Sequence, residues 1–144
     1  MTPDLYAEVR RAAFRRRSIR AYTEEPVPED VLVDLLEAAG RAPSAWNLQP
    51  WRWVVVRRPE LKSRLHAAAF RQRQVESASA VLVLYTDLAG TLNDLQAVLH
   101  PAWNEAARHG AAGRIQSHFA TQSPAQREEW GLGQAYLALG YLLL

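Results

Sequence analysis

Two short stretches of this chain concentrate the side chains able to do chemistry. Arg15-Arg16-Arg17-Ser18-Ile19-Arg20 gathers guanidinium groups around one hydroxyl. Guanidinium forks pair bidentately with phosphate oxygens, and a serine adds one more short hydrogen bond, so the set suits a phosphate ester. It would serve equally as a solvated basic helix end facing the C-terminal dipole. Ile19 weighs against that simpler reading, because an apolar residue between Ser18 and Arg20 implies one buried side and alternate side chains aimed together. The second stretch is Ala42-Pro43-Ser44-Ala45-Trp46-Asn47-Leu48-Gln49-Pro50-Trp51, with two prolines, two short polar side chains and two tryptophans. Pro43 and Pro50 fix two φ angles and bias the residues before them to extended conformations. Less entropy is then lost when Ser44 and Asn47 are presented to a ligand. A stiff connection that completes the core would explain Trp51 but not Asn47 or Gln49. Loops of this kind on a rigid scaffold are where binding residues tend to lie.

The elements that must position these stretches follow from hydrophobic periodicity. Thr2 as cap and Pro3 as first helical residue open a helix carrying Leu5, Val9 and Ala12 and reaching about Phe14, with the Arg cluster at its end. A second helix begins near Pro28, with Val31, Leu32, Leu35, Leu36 and Ala39 on its apolar face and Glu29 and Asp30 at its positive N-terminus. Gly40, as a left-handed C-cap, and Pro43 end it. Trp51 to Arg57 reads as a strand, Pro59 to about Phe70 as a helix, and Ala80 to Thr86 as a strand covered on both faces and stopped by Asp87. Residues 91–118 read as helical but weakly patterned. Ser123-Pro124-Ala125-Gln126 is a capping box that opens a last helix through Trp130, Leu137 and Tyr141.

With 144 residues the chain is long enough for a single domain, residues 1–144, and its 49% hydrophobic and 22% charged composition excludes a disordered or low-complexity segment. Zero cysteines remove disulfides, zinc knuckles and a Cys nucleophile. The start shows no signal peptide, and Ala135 to Leu144 is half the ~20 residues a membrane-spanning helix needs, which points to a soluble, cytoplasmic protein without a membrane partner. The net charge of +2 conceals segregation. Residues 1–20 carry six Arg against two acids, residues 21–40 six acids and no base, and residues 41–73 eight bases against Glu60 alone. The basic half should face something anionic. His66, His100, His109 and His118 lack the spacing of helical metal ligands and read as surface or capping residues, with no metal. Trp103 and Trp130 read as packing residues.

Arg16-Arg17-Ser18-Ile19-Arg20-Ala21-Tyr22, an acidic amphipathic helix, then Ala42-Pro43-Ser44 with Asn47-Leu48-Gln49-Pro50-Trp51 leading into a strand, resembles the N-terminal half of the nitroreductase family of FMN-dependent oxidoreductases. The resemblance covers residues 14–86 and the last helix from Ser123, and is absent over residues 87–122. It implies an α+β fold with a mostly antiparallel sheet flanked by helices, an intertwined homodimer, and one FMN at each of two sites built by both subunits. By resemblance, Arg16, Arg17 and Ser18 take the phosphate end and Arg20 the ribityl and pyrimidine side. Pro43, Ser44 and Asn47 from the other subunit lie against the isoalloxazine, and Gln74 and Arg71 near the pyrimidine. Ala45 stands where many relatives carry a second serine. His109 or Phe119 would line the substrate opening. The implied reaction passes electrons from NADPH or NADH through the flavin to a nitroaromatic or quinone-like small molecule, by alternating kinetics. Reduction places negative charge at the flavin N1 and O2, where Arg20 would stabilise it.

The family's further flavin-contacting loop, strand and basic phosphate contact would come after Leu144. The apolar run Leu137 to Leu144 has no C-cap, so the chain reads as a domain truncated at its C-terminus or completed by a partner chain. A dimeric relative that has lost its cofactor, with a structural role, therefore stays open. Nucleic-acid binding has raw material in the Arg residues near Trp46, Trp51 and Trp53, but an acidic helix divides them and Lys is nearly absent.

Overall fold

A computed structural model of the chain describes residues 4–143, so the expected roles of Thr2 and Pro3 lie outside the described residues. Helix α1 spans Leu5–Arg15 and is capped by the Asp4 carboxylate, which accepts from the Ala7 N–H. An extended segment follows, then α2, Glu29–Gly40, with its acidic first turn at the positive helix end. A single 3-10 turn, Ala45–Asn47, leads into β1, Trp51–Val56. Next come α3 (Pro59–Ala68), α4 (Arg73–Ser77) and β2 (Val81–Thr86). The chain then runs through α5 (Leu88–Asn93), α6 (Leu95–Val98), α7 (Glu105–Ala120) and α8 (Pro124–Leu142).

β1 and β2 pair antiparallel with Trp51 opposite Thr86 and Val56 opposite Val81. Helix α8 lies against both strands and against α2. This contact needs small residues: Ala135 and Ala138 are buried with Ala42 and Trp51, and Trp53 and Leu84 pack beside them. Gly131 approaches β2 so closely that an added Cβ would stand 3.3 Å from the Thr86 Cβ. The capping box at the start of α8 forms in full, the Ser123 hydroxyl accepting from the Gln126 N–H and the Gln126 side-chain carbonyl oxygen from the Ser123 N–H.

A second core belongs to the helical segment 88–120. Leu88, Leu95, Leu99, Ala111, Ala112, Ile115 and Phe119 form it, and Leu48 of the α2–β1 loop is inserted among them with no exposed surface. No helix among the described residues is long and apolar enough to cross a membrane.

Several local expectations are corrected. Gly40 does not adopt a left-handed cap; α2 ends through Arg41 in a right-handed conformation, with the Arg41 and Ala42 N–H groups closing on Ala38 and Ala39. The buried stripe of α2 is narrower than its apolar one, since Leu32 and Ala39 are buried while Val31 and Leu35 stay exposed. β2 is only half-buried, because α8 covers its sheet from one side and Tyr85 faces outward. α3 stops at Ala68, and Phe70 and Arg71 take left-handed conformations at φ 53° and 54°. The short helix α4 carries no amphipathic pattern over its five residues that sequence could reveal.

Candidate functional site

The α2–β1 loop is fixed from four directions. The Ser44 hydroxyl accepts from the Gln49 N–H at 3.0 Å, closing the loop on itself. Asn47 donates from Nδ2 to the Val98 carbonyl at the end of α6, 2.9 Å away, while its Oδ1 accepts from Gln49 Nε2. Gln134 of α8 accepts from the Ala45 N–H at 2.9 Å. Leu48 fills the helical core. Under these constraints Trp46, Asn47 and Gln49 hold left-handed backbones at φ 54°, 58° and 42°. Such conformations cost L-residues roughly 1–2 kcal/mol each, least for Asn. The Trp46 ring meets His118 at 5.1 Å, Phe119 at 6.0 Å and Trp130 at 6.4 Å between centroids.

Beside this loop lies an open cleft of about 600 Å³ lined by Glu37, Gly40, Arg41, Pro43, Asn47 and Gln49. Pro43 and Asn47 are therefore brought to one cavity, with Ser44 stabilising its wall. Glu37 and Arg41, a helical i, i+4 pair, add one charge of each sign. Their i, i+4 spacing at the end of α2 is the sequence signal that marks them.

Arg16, Arg17, Ser18 and Arg20 lie on the extended segment after α1, all exposed. Arg17 donates to the Phe14 and Arg16 carbonyls at 2.9 Å, and Arg20 to the Ser18 carbonyl at 3.3 Å. Among the described residues no carboxylate pairs with Arg16, Arg17 or Arg20, whereas Arg57 is held by Glu29 at 2.7 Å and Arg52 lies 3.9 Å from Asp87. The donors of this segment thus remain open to an anion, and their chemistry fits the phosphate of a flavin mononucleotide. Ile19, expected to be buried, is 67% exposed, since no element among the described residues covers this segment. Leu5, Val9 and Phe14 of α1 are exposed likewise. Arg16, Arg17, Ser18 and Arg20 are not among the residues that line the cleft beside the Pro43–Asn47 loop.

Gln74 is half-buried in α4, where its amide donates to the Gln72 side chain at 2.7 Å, and Arg71 occupies the exposed left-handed turn before it. Phe119 cannot line an opening as expected, being 1% exposed at the centre of the helical core. The roles of Trp46, Gln49 and Gln134 were not legible: left-handed backbone at non-Gly residues leaves no mark on composition, and Gln134 acts from 89 positions away.

A model described as the Nitroreductase family matches residues 13–144. The chain is 52% identical over 137 residues to a protein named NADH dehydrogenase from Thermus thermophilus, covering 95% of this chain and 67% of that one. It is 39% identical over 79 residues to the candidate NAD(P)H nitroreductase YodC of Bacillus subtilis, covering 54% of this chain and 39% of YodC. Among solved structures, a candidate nitroreductase of Exiguobacterium sibiricum in complex with FMN superposes with a TM-score of 0.75 at 28% identity, over 92% of this chain and 66% of that one.

Proposed function

The chain belongs to the nitroreductase family, and from that premise we propose that it is an FMN-dependent oxidoreductase. In this reading it takes electrons from NADPH or NADH and delivers them to nitroaromatic or quinone-like acceptors by alternating kinetics, as a homodimer with two shared sites. The observation that carries the reading is the pairing of two features in one chain: guanidinium groups at Arg16, Arg17 and Arg20 that have no carboxylate partner among the described residues, and a loop over residues 43–49 held rigid by contacts from α6, the helical core and α8. The FMN bound in the Exiguobacterium relative supports the cofactor.

When bound, FMN supplies the hydride and electron transfer, and the protein supplies position and electrostatics. Arg16 and Arg17 would hold the phosphate through charge-assisted N–H donors, and Ser18 would add a hydroxyl. Arg20 holds a fixed positive charge on the pyrimidine side, which favours negative charge arriving there. Pro43, Ser44 and Asn47 of the other subunit would offer a pre-shaped edge to the ring, so little entropy would be lost on docking. Gln74 and Arg71 would offer polar atoms on the pyrimidine side. The apolar side chains of Leu5, Val9, Phe14 and Ile19, exposed in the single chain, supply a surface for the second subunit.

Absorption spectroscopy of the purified protein tests this. The expected result is a bound flavin spectrum that bleaches on adding NADPH or NADH and returns with a quinone or nitroaromatic. A colourless dimer that takes up no added FMN assigns the chain to the cofactor-free relatives instead. Salt-sensitive retention on DNA without flavin would favour nucleic-acid binding.

A further inference from the structure

We propose that Gln134 is a positioning residue for the cofactor loop, setting through the Ala45 N–H how the Ser44–Asn47 backbone meets the flavin; this rests on the function proposed above. The Ser44–Ala45 peptide is pinned at both ends. Its carbonyl accepts from the Asn47 N–H at 3.0 Å, and its N–H donates to Gln134 Oε1 at 2.9 Å. Ala45 has no side-chain polar atom, so its hold on the scaffold at this point is the backbone bond to Gln134. The next residue, Trp46, sits at φ 54° and ψ 17°, a conformation a tryptophan adopts only when its surroundings dictate it.

Gln134 is itself well anchored. It lies on α8 between Gly131 and Ala138, which are buried against the sheet and α2. The bond to Ala45 is at the surface, where water could take the place of the glutamine. The fold therefore does not require it, and what it determines is the orientation of one peptide plane. Gln134 also lines a cavity of about 460 Å³ with Gln122, Gln126, Glu129, Trp130 and Gly133, so its side chain can swing away once the bond is lost.

Gln134→Met keeps the length and removes the acceptor; Gln134→Glu restores an acceptor oxygen. Amide hydrogen exchange at Ala45 in the flavin-free chain should accelerate in Gln134→Met and return in Gln134→Glu. FMN affinity, by flavin fluorescence quenching, should weaken about tenfold in Gln134→Met, the loss expected for one hydrogen bond, and recover in Gln134→Glu. The melting temperature should stay close to wild type in both. Unchanged Ala45 exchange, unchanged FMN affinity in Gln134→Met, or a Gln134→Glu protein no better than Gln134→Met overturns the proposal. A loss of melting temperature parallel to the loss of affinity overturns it too, by making the residue simply structural. A wild-type chain that takes up no FMN defeats the cofactor reading separately, and Ala45 exchange then still decides whether Gln134 sets the loop.

Discussion

The side chain of Asn47 ties the α2–β1 loop to the end of α6, its Nδ2 donating to the Val98 carbonyl at 2.9 Å while its Oδ1 receives Gln49 Nε2. A residue expected to face a ligand is thus already half committed to the scaffold. Replacing the donor by an acceptor sets oxygen against oxygen at the surface, so Asn47→Asp should lower stability by about 0.5–1.5 kcal/mol. Urea denaturation measures this, and an unchanged midpoint would mean that the contact to Val98 contributes nothing.

Arg16 and Arg57 provide a paired comparison. Arg57 is bound to Glu29 at the surface, whereas Arg16 has no carboxylate partner among the described residues. Arg16→Ala should weaken FMN binding about tenfold or more, the scale of a charge-assisted hydrogen bond, and Arg57→Ala should leave it unchanged. Titration of the two variants with FMN decides, and equal losses would remove Arg16 from the phosphate.

Sharing of each site between subunits can be tested by mixing. An Arg16→Ala chain combined with an Asn47→Ala chain gives heterodimers with one doubly altered and one intact site, because a two-fold interface repeats each contact reciprocally. Flavin content near half of wild type is expected. Heterodimers of verified composition that bind no flavin would contradict a site built in trans.

Phe70 stands 91% exposed at φ 53°, just past the end of α3, where glycine is the favoured residue. Phe70→Gly should raise stability by about 0.5–1 kcal/mol, relief of backbone strain outweighing the greater freedom of the unfolded chain. Thermal unfolding gives the sign directly. A lower midpoint would show that the ring makes a stabilising contact in the assembled protein.

Two glycines on α8 should respond differently to alanine. An added Cβ at Gly133 meets nothing within 4 Å, while at Gly131 it meets Thr86 at 3.3 Å. Gly133→Ala should gain about 0.5–1 kcal/mol from helix propensity, and Gly131→Ala should fall short of that gain. Chemical denaturation of both variants checks the order.

Much of this architecture was legible in local chemistry. Ser123 and Gln126 sit at capping-box spacing, and the bonds form. Trp51–Val56 and Val81–Thr86 carry aromatic and β-branched side chains, and they pair as strands. The two motifs stand out in the sequence because clustered arginines and closely spaced prolines are unusual in positions that only pack. What escaped depends on tertiary context. The loop's left-handed residues are imposed by Gln134, Val98 and the helical core, none adjacent in sequence. The exposure of Ile19 and Phe14 reflects an amphipathic arm whose apolar side is uncovered among the described residues.

The burial of Leu48 among Leu88, Leu95, Ile115 and Phe119 joins two properties that are usually separable. Residues 88–120, weakly patterned in sequence, form the socket into which the proline-flanked loop is plugged. Loosening that socket anywhere, even far from any ligand, frees the loop's anchor, and tightening it sharpens the loop. Evolution or an engineer altering this helical segment would therefore be tuning the loop's conformation and the protein's thermal resistance with a single adjustment.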